Sequence, residues 1–363
     1  MNIIDQLIKL VLDAGGSDLH VAAGSSPIYR KHGKLEQIAL PELTDSKVKE
    51  IAQQILSTQS IQKLMTESSL DFVYASNLLG HRFRGNAFFQ KNGLSLALRW
   101  IPKEIPSLKQ LGFSEAVRKI TRFHQGIVLI TGPSGCGKTT TMASLVNIIN
   151  EERSLHVVTV EDPIEYIHSN KNSLIIQRET GVNVDSFATA LKAVLREDPD
   201  VIVIGELRDL ETISLAITAA ETGHLLLGTL NTNSAIQTID RIIDAYPPDQ
   251  QSQIRVMFSE SLRAIISQQL VTNKAKDGRV CAYEVLFANS SVANLIRDSK
   301  QYQLGNVMQT GRRQGMQLMD ASLGDLLKQD LIDMEEAVER ANDPDSFIEK
   351  YGPKKSQRED FLT

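Results

Sequence analysis

The chain has little cysteine: Cys136 and Cys281 are the only two in 363 residues. Two cysteines cannot build a disulfide framework or a four-cysteine zinc site, and such scarcity fits a reducing compartment. No apolar run approaches the roughly 20 residues that cross a bilayer. The start, Met1-Asn2-Ile3-Ile4-Asp5, lacks the basic run and long apolar stretch of a signal peptide. The chain therefore reads as cytoplasmic, with no direct membrane span. A basic excess is missing too: 39 Lys and Arg against 44 Asp and Glu give a formal charge of -5, which argues against nucleic acid as the main ligand. Repeats and low-complexity segments are absent. What remains is an ordinary globular composition, 42% apolar and 23% charged, long enough for about two domains.

Residues 1–100 read as a small mixed α/β unit. Polar and apolar residues alternate over Ser17 to Ala22 and Leu70 to Ala75, and Arg82 to Phe89 and Ser95 to Trp100 form further strands. Asp45 to Leu56 has helical spacing, with Thr44 or Asp45 as N-cap. Pro102 and Pro106 punctuate a linker. The second half changes rhythm. Gly126 to Thr131 is a continuous apolar run, the mark of a strand buried on both faces. A glycine-rich turn and a helix over Thr139 to Asn150 follow, then apolar runs at His156 to Val160, Val201 to Ile204 and Leu225 to Gly228. Strands alternating with helices imply βαβ units and a parallel sheet. Beyond Pro247-Pro248 the chain reads as mostly helical, with Ile254, Met257, Phe258, Leu262, Ile265, Ile266 and Leu270 as one apolar stripe. From about Asp343 it reads as a loose tail.

Gly132-Pro-Ser-Gly-Cys-Gly-Lys138-Thr139 matches G-x-x-x-x-G-K-[ST] without mismatch, between a buried strand and a helix as that motif requires. Glycines let backbone N–H groups turn inward as an anion nest, and the helix N-terminus adds partial positive charge. Ser134, Gly135, Cys136, Gly137, Lys138, Thr139 and Thr140 are thus the expected phosphate-binding residues. Lys138 reaches the β- and γ-phosphates of ATP, and the Thr139 hydroxyl ligates Mg²⁺. Cys136 reads as a small residue at a variable loop position rather than as a redox thiol.

Hydrolysis also needs a metal, an oriented water and charge stabilisation. Glu161-Asp-Pro-Ile-Glu165 follows one strand and Glu206 follows another, so both acidic segments emerge at the carboxyl edge where ligands collect. Glu206 holds the Walker B position, from which a carboxylate binds Mg²⁺ through water. His224, just before an apolar run, either senses the γ-phosphate or links nucleotide state to movement, or is structural. Arg82 and Arg84 share a strand face, with Arg99 and Arg30 nearby in the same domain. They are either arginine fingers offered to a nucleotide or a solvent-facing sheet surface.

Taken together, these residues resemble the secretion and pilus ATPases, and within them the PilT-type retraction motors. The resemblance rests on the Walker A loop, an Asp box at Val160-Glu-Asp-Pro-Ile-Glu165-Tyr, a Walker B segment from Leu195 to Glu206, and a His-box-like stretch from Ala219 to Leu230. Gly15 to His20 and Ser291-Val-Ala-Asn-Leu-Ile-Arg297 also resemble the family, the latter with Val292-Ala293 in place of its Ile-Arg, and coverage is roughly residues 1–342. The resemblance implies a PAS-like N-terminal domain over 1–101, a linker over 102–113, a RecA-like ATPase domain over 114–345 with a helical C-terminal part, and a flexible tail over 346–363. It implies a homohexamer, Glu165 as catalytic base, Glu206 as the Walker B glutamate, and small-domain arginines completing the site. The implied partners are an inner-membrane pilus platform protein and a paralogous retraction ATPase, met at the cytoplasmic face of the inner membrane. The family's extension motors carry a further N-terminal domain and a tetracysteine motif, which makes retraction the expected direction. An accessory ATP-binding paralogue with weak hydrolysis and a secretion traffic ATPase are the alternative readings. The family's His box continues Gly-Thr-Leu-His-Thr; this chain has Gly228-Thr-Leu-Asn231-Thr. Asn231 donates and accepts hydrogen bonds but takes no proton near neutral pH.

Overall fold

The computed structural model describes residues 2–352 apart from His32, Asn77 and Pro102. Contacts divide it into two units, Met1–Glu104 with Glu165–Ile167, and Ile105–Ile164 with His168–Thr363. The expected linker is partly a core element, since Leu108 and Phe113 are buried in the second unit's core.

In the first unit, α1 (Ile3–Asp13), β1 (Asp18–Ala22), β2 (Ile28–Lys31), β3 (Lys34–Gln37), α2 (Asp45–Ile55), α3 (Thr58–Glu67), β4 (Ser69–Ser76), β5 (His81–Gln90) and β6 (Gly93–Ile101) follow in order. The six strands pair antiparallel in the order β3-β2-β1-β6-β5-β4. Leu19, Val21, Phe83, Ala87, Leu96 and Leu98 point to one face and pack with Ile4, Ile8, Val48, Ile51 and Leu64 of the helices. The two-residue period of a strand therefore sends Asp18, His20, Arg82, Arg84 and Arg99 to the other face. Thr44 caps α2 by accepting from the Lys47 N–H, as its sequence signature predicts.

The second unit contains β7 (Gly126–Thr131), α4 (Lys138–Glu152), β8 (His156–Glu161), β9 (Leu174–Glu179), α5 (Phe187–Val194), β10 (Val201–Ile204), α6 (Leu210–Glu221), β11 (Leu225–Leu230), α7 (Ala235–Asp244), α8 (Pro248–Ser261), β12 (Leu262–Thr272) and β13 (Arg279–Phe287). Helices α9 (Ser290–Arg297), α10 (Leu304–Thr310), α11 (Met319–Lys328), α12 (Met334–Arg340) and α13 (Pro344–Tyr351) complete it. The sheet order is β13-β12-β7-β11-β10-β8-β9, parallel from β12 to β9, with β13 antiparallel to β12. Every residue of β7, β10 and β11 is buried, which is why these strands read as unbroken apolar runs.

Two expectations are corrected. The stripe from Ile254 to Leu270 is not one helix: α8 ends at Ser261, and Leu262, Ile265, Ile266 and Leu270 lie on β12 beside β7. A strand buried on both faces offers apolar residues at almost every position, so helical spacing can be picked out of it. β9 and β13 were not marked in the sequence. The tail is also ordered further than expected. Pro344–Tyr351 forms a helix capped by Asp343, with Phe347 buried among Val271, Leu323 and Ile332. The remainder of the expected tail, residues 353–363, lies outside the described residues. Among the described residues no helix is long and apolar enough to cross a membrane.

Candidate active site

The phosphate loop is built where β7 runs out. Gly132, Gly135 and Gly137 have φ of 140°, 77° and 90°, values that L side chains rarely adopt. Gly132 is also required by space, because a Cβ there would fall 2.1 Å from the Gln268 carbonyl oxygen on β12 and 2.6 Å from Cys136 Sγ. Gln268 closes the loop from its other side, its Nε2 donating to the Cys136 carbonyl at 2.7 Å. α5, α6 and α7 have side-chain caps from Ser186, Asp209 and Ser234, whereas α4 starts at Gly137 with no side-chain cap. The first-turn N–H donors of α4 thus lack the usual side-chain acceptor and fit an incoming phosphate. Thr139 and Thr140 are half-buried on that first turn, and Ser134 and Gly135 are exposed on the loop. Cys136 is 3% exposed, and burial pushes its thiol up despite the nearby Lys138. That direction is opposite to the one a reactive thiolate needs, in line with its reading as a small packed residue.

Parallel register decides which other residues join the loop. Thr131 lies opposite Leu230, and Gly228 opposite Ile204, so the segments after β7, β11 and β10 leave the sheet at one edge. Glu206 and Asn231 therefore come out beside Lys138. Lys138 Nζ donates to Asn231 Oδ1 at 2.8 Å, and Asn231 Nδ2 donates to Glu206 Oε1 at 2.6 Å. Arg208 holds the other carboxylate oxygen of Glu206, with Nε and Nη2 both at 2.7 Å. Lys138 Nζ also donates to the carbonyls of Gly132 at 2.8 Å and Pro133 at 3.0 Å. Arg208 and Gln268 were not expected here. The i, i+2 spacing of Glu206 and Arg208 was a usable signal; for Gln268, which arrives from β12, there was none.

The remaining candidates lie elsewhere. Glu165 falls in the first unit by contact, with Oε1 3.6 Å from Arg84. Arg82 and Arg84 are on the sheet face away from that unit's core. Arg99 bonds Asp18 through Nε at 2.7 Å. Burial works against the Asp18 charge, but the Ser17 hydroxyl and Arg99 together hold its carboxyl below the ordinary value. Burial lowers neighbouring His20, and Asp18 offsets part of that fall. Arg30 donates to the Gly33 carbonyl at 2.7 Å.

His224 requires a correction. It precedes β11, so it sits at the amino edge of the sheet, where its carbonyl accepts from the Gly126 N–H and its Nδ1 lies 2.9 Å from the Ala219 carbonyl. The six residues of β11 separate it from Asn231 by about 20 Å. Within its own chain it cannot sense a γ-phosphate, and its bonds are those of a helix-to-strand turn.

A family model for Type II/IV secretion system protein matches residues 1–339. The chain belongs to that family. It is a P-loop ATPase with an antiparallel PAS-like unit and a RecA-like unit. The type IV pilus retraction ATPase PilT of Pseudomonas aeruginosa is 41% identical over 345 residues, covering 95% of this chain and 99% of the relative. A twitching motility protein of Neisseria gonorrhoeae is 44% identical over 322 residues, or 89% and 86% of the two chains. A crystal structure of the pilus retraction motor PilT with bound ADP superposes with a TM-score of 0.88 at 44% identity, covering 95% of this ATPase and 98% of that chain.

Magnesium fits this ATPase through a sparse protein donor set. Such an ion takes most of its ligands from phosphate and water and needs one or two protein oxygens. Among the described residues no cluster of three or more His, Cys, Asp or Glu could cage a metal. The Thr139 hydroxyl and the Glu206 carboxylate supply oxygens at the same sheet edge.

Proposed function

We propose that this ATPase powers retraction of a type IV pilus, working as a homohexamer at the cytoplasmic face of the inner membrane against a membrane-embedded pilus platform protein, with a paralogous retraction ATPase as a second partner. The carrying observation is the Lys138–Asn231–Glu206 chain at the mouth of an intact phosphate nest, in a sequence matching retraction motors along nearly its whole length.

In this reading the loop N–H groups between Gly132 and Thr139 bind the β-phosphate. Lys138 turns toward the γ-phosphate, and Thr139 and Glu206 would hold Mg²⁺. Mg²⁺, when bound, would neutralise charge on the transferring phosphoryl group. Glu165 serves as general base, and Arg82, Arg84 and Arg99 stabilise charge on the transferring phosphoryl group. Both assignments derive from the family resemblance. Nucleotide-driven closure is the natural transmission, since hinge closure around ligand is a common transition.

Two experiments test this. Purified protein should turn over ATP with magnesium and lose at least about a hundredfold in kcat on Lys138→Ala or Glu206→Ala, the scale on which electrostatic groups at a reacting centre act. Deleting the gene should leave excess surface pili and abolish twitching. Absent pili would instead indicate an assembly motor, and unchanged pili a different secretion platform.

A further inference from the structure

Asn231 has no role in the chemistry assigned above, yet it is the residue that joins its two halves. The sheet order places β11 between β7 and β10. The first residue after β11 is therefore forced between the loop that follows β7 and the carboxylate that follows β10. An ammonium has no acceptor and an ionised carboxylate has no donor. A primary amide carries both a donor and an acceptor, so it can bridge the two. Its orientation follows from its partners: Oδ1 toward Lys138 at 2.8 Å and Nδ2 toward Glu206 at 2.6 Å.

We infer that Asn231 is a positioning residue that links the grip of Lys138 on the terminal phosphate to the orientation of Glu206. Lys138 Nζ has three donors, and three acceptors take them: the Gly132 carbonyl, the Pro133 carbonyl and Asn231 Oδ1. A phosphoryl oxygen that comes to Nζ must displace one of them. The two carbonyls belong to loop backbone held by glycine geometry and by Gln268, while Asn231 is an exposed side chain. The amide contact is the one that yields. Once Lys138 leaves it, Oδ1 is free, while Nδ2 still donates to Glu206 opposite Arg208. The carboxylate is then clamped between one neutral donor and one guanidinium, in a line set by the amide. Asn231 thus competes with the terminal phosphate for Lys138 and orients Glu206 once the phosphate has won.

The proposal rests on the phosphate-site reading and makes a prediction that a packing role would not. Asn231→Leu keeps the branched side-chain shape and removes both bonds. It should bind a non-hydrolysable ATP analogue about fivefold tighter in EDTA, because one donor of Lys138 is released, and bind ADP with unchanged affinity. Its ATP turnover with magnesium should fall about tenfold or more, the scale of one lost charge-assisted hydrogen bond. Asn231→Asp keeps the acceptor for Lys138 but sets a like charge against Glu206. Its turnover should fall as far as that of the leucine variant, without the tighter ATP-analogue binding. Asn231→Gln, which keeps both functions on a longer stem, should recover part of the turnover. Thermal midpoints should match the wild type, as the side chain is exposed. Analogue affinity that is unchanged or weaker in the leucine variant, or turnover within twofold of wild type in the leucine and aspartate variants, overturns the inference. If Lys138→Ala and Glu206→Ala also turn over ATP normally, the phosphate-site reading itself falls, and this proposal with it.

Discussion

Two alanine substitutions in the phosphate loop should separate steric from conformational demand. Gly132 and Gly135 both have positive φ, 140° and 77°. At Gly135 an added Cβ meets nothing within 4 Å, whereas at Gly132 it would lie 2.1 Å from the Gln268 carbonyl oxygen. Gln268 is on β12, which is hydrogen-bonded to β7 on one side and β13 on the other, so that oxygen cannot retreat by the ångström or more required. Forcing a non-glycine residue into such a φ costs about 1–3 kcal/mol, and overpacking a close-packed site costs about 1–3 kcal/mol more. Gly135→Ala should therefore cost about 1–2 kcal/mol, near the left-handed backbone cost alone, and Gly132→Ala about 2–6 kcal/mol. For a unit of this size 1 kcal/mol moves the midpoint by about 2–4 °C. Circular dichroism melts of the two variants should differ by roughly 5 °C or more, Gly132→Ala lower. Equal midpoints would refute the argument that β12 walls the loop.

Burial, with the nearby Lys171 charge, lowers His168 to about 4. Its folded value lies below the unfolded one near 6.5, so its neutral form stabilises the fold above that pH, and the contribution is lost as pH falls from 6.5 toward 4. The gap is worth roughly 3 kcal/mol; His168→Gln should flatten the acid limb of a midpoint-versus-pH curve in that window. Glu284 is shifted the other way, raised by burial although the Ala235 N–H bonds it at 2.8 Å. Folding holds its proton where the unfolded chain releases it, so stability falls as pH rises above the ordinary glutamate value. Glu284→Gln, which keeps an acceptor for Ala235, should raise the midpoint at pH 8 and leave it nearly unchanged at pH 4. An equal gain at both pH values would show that buried charge is not the cause.

The phosphate loop was legible because its information is consecutive. Strand, glycines, lysine and helix lie within residues 126–152, and each acts through its own backbone or its immediate neighbours. Glu206 was legible for a related reason, because an acid ending an apolar run in a parallel sheet must emerge at the carboxyl edge. The same rule places His224 at the amino edge, since it stands before its strand rather than after it. The segment from Leu262 to Leu270 was misread because burial on both faces erases the period that separates strand from helix.

The sequence by itself determined that a strand, an anion nest and a helix follow one another at Gly126 to Glu152, and that one face of β5 carries arginines, because both depend only on local backbone geometry and side-chain period. Only the tertiary structure decided that Gln268 walls the loop, that Phe347 is buried, and that Asn231 ties Lys138 to Glu206. Those contacts join residues 15 to 136 positions apart in the chain. Strand order and register bring them together, and these are set by how whole elements pack.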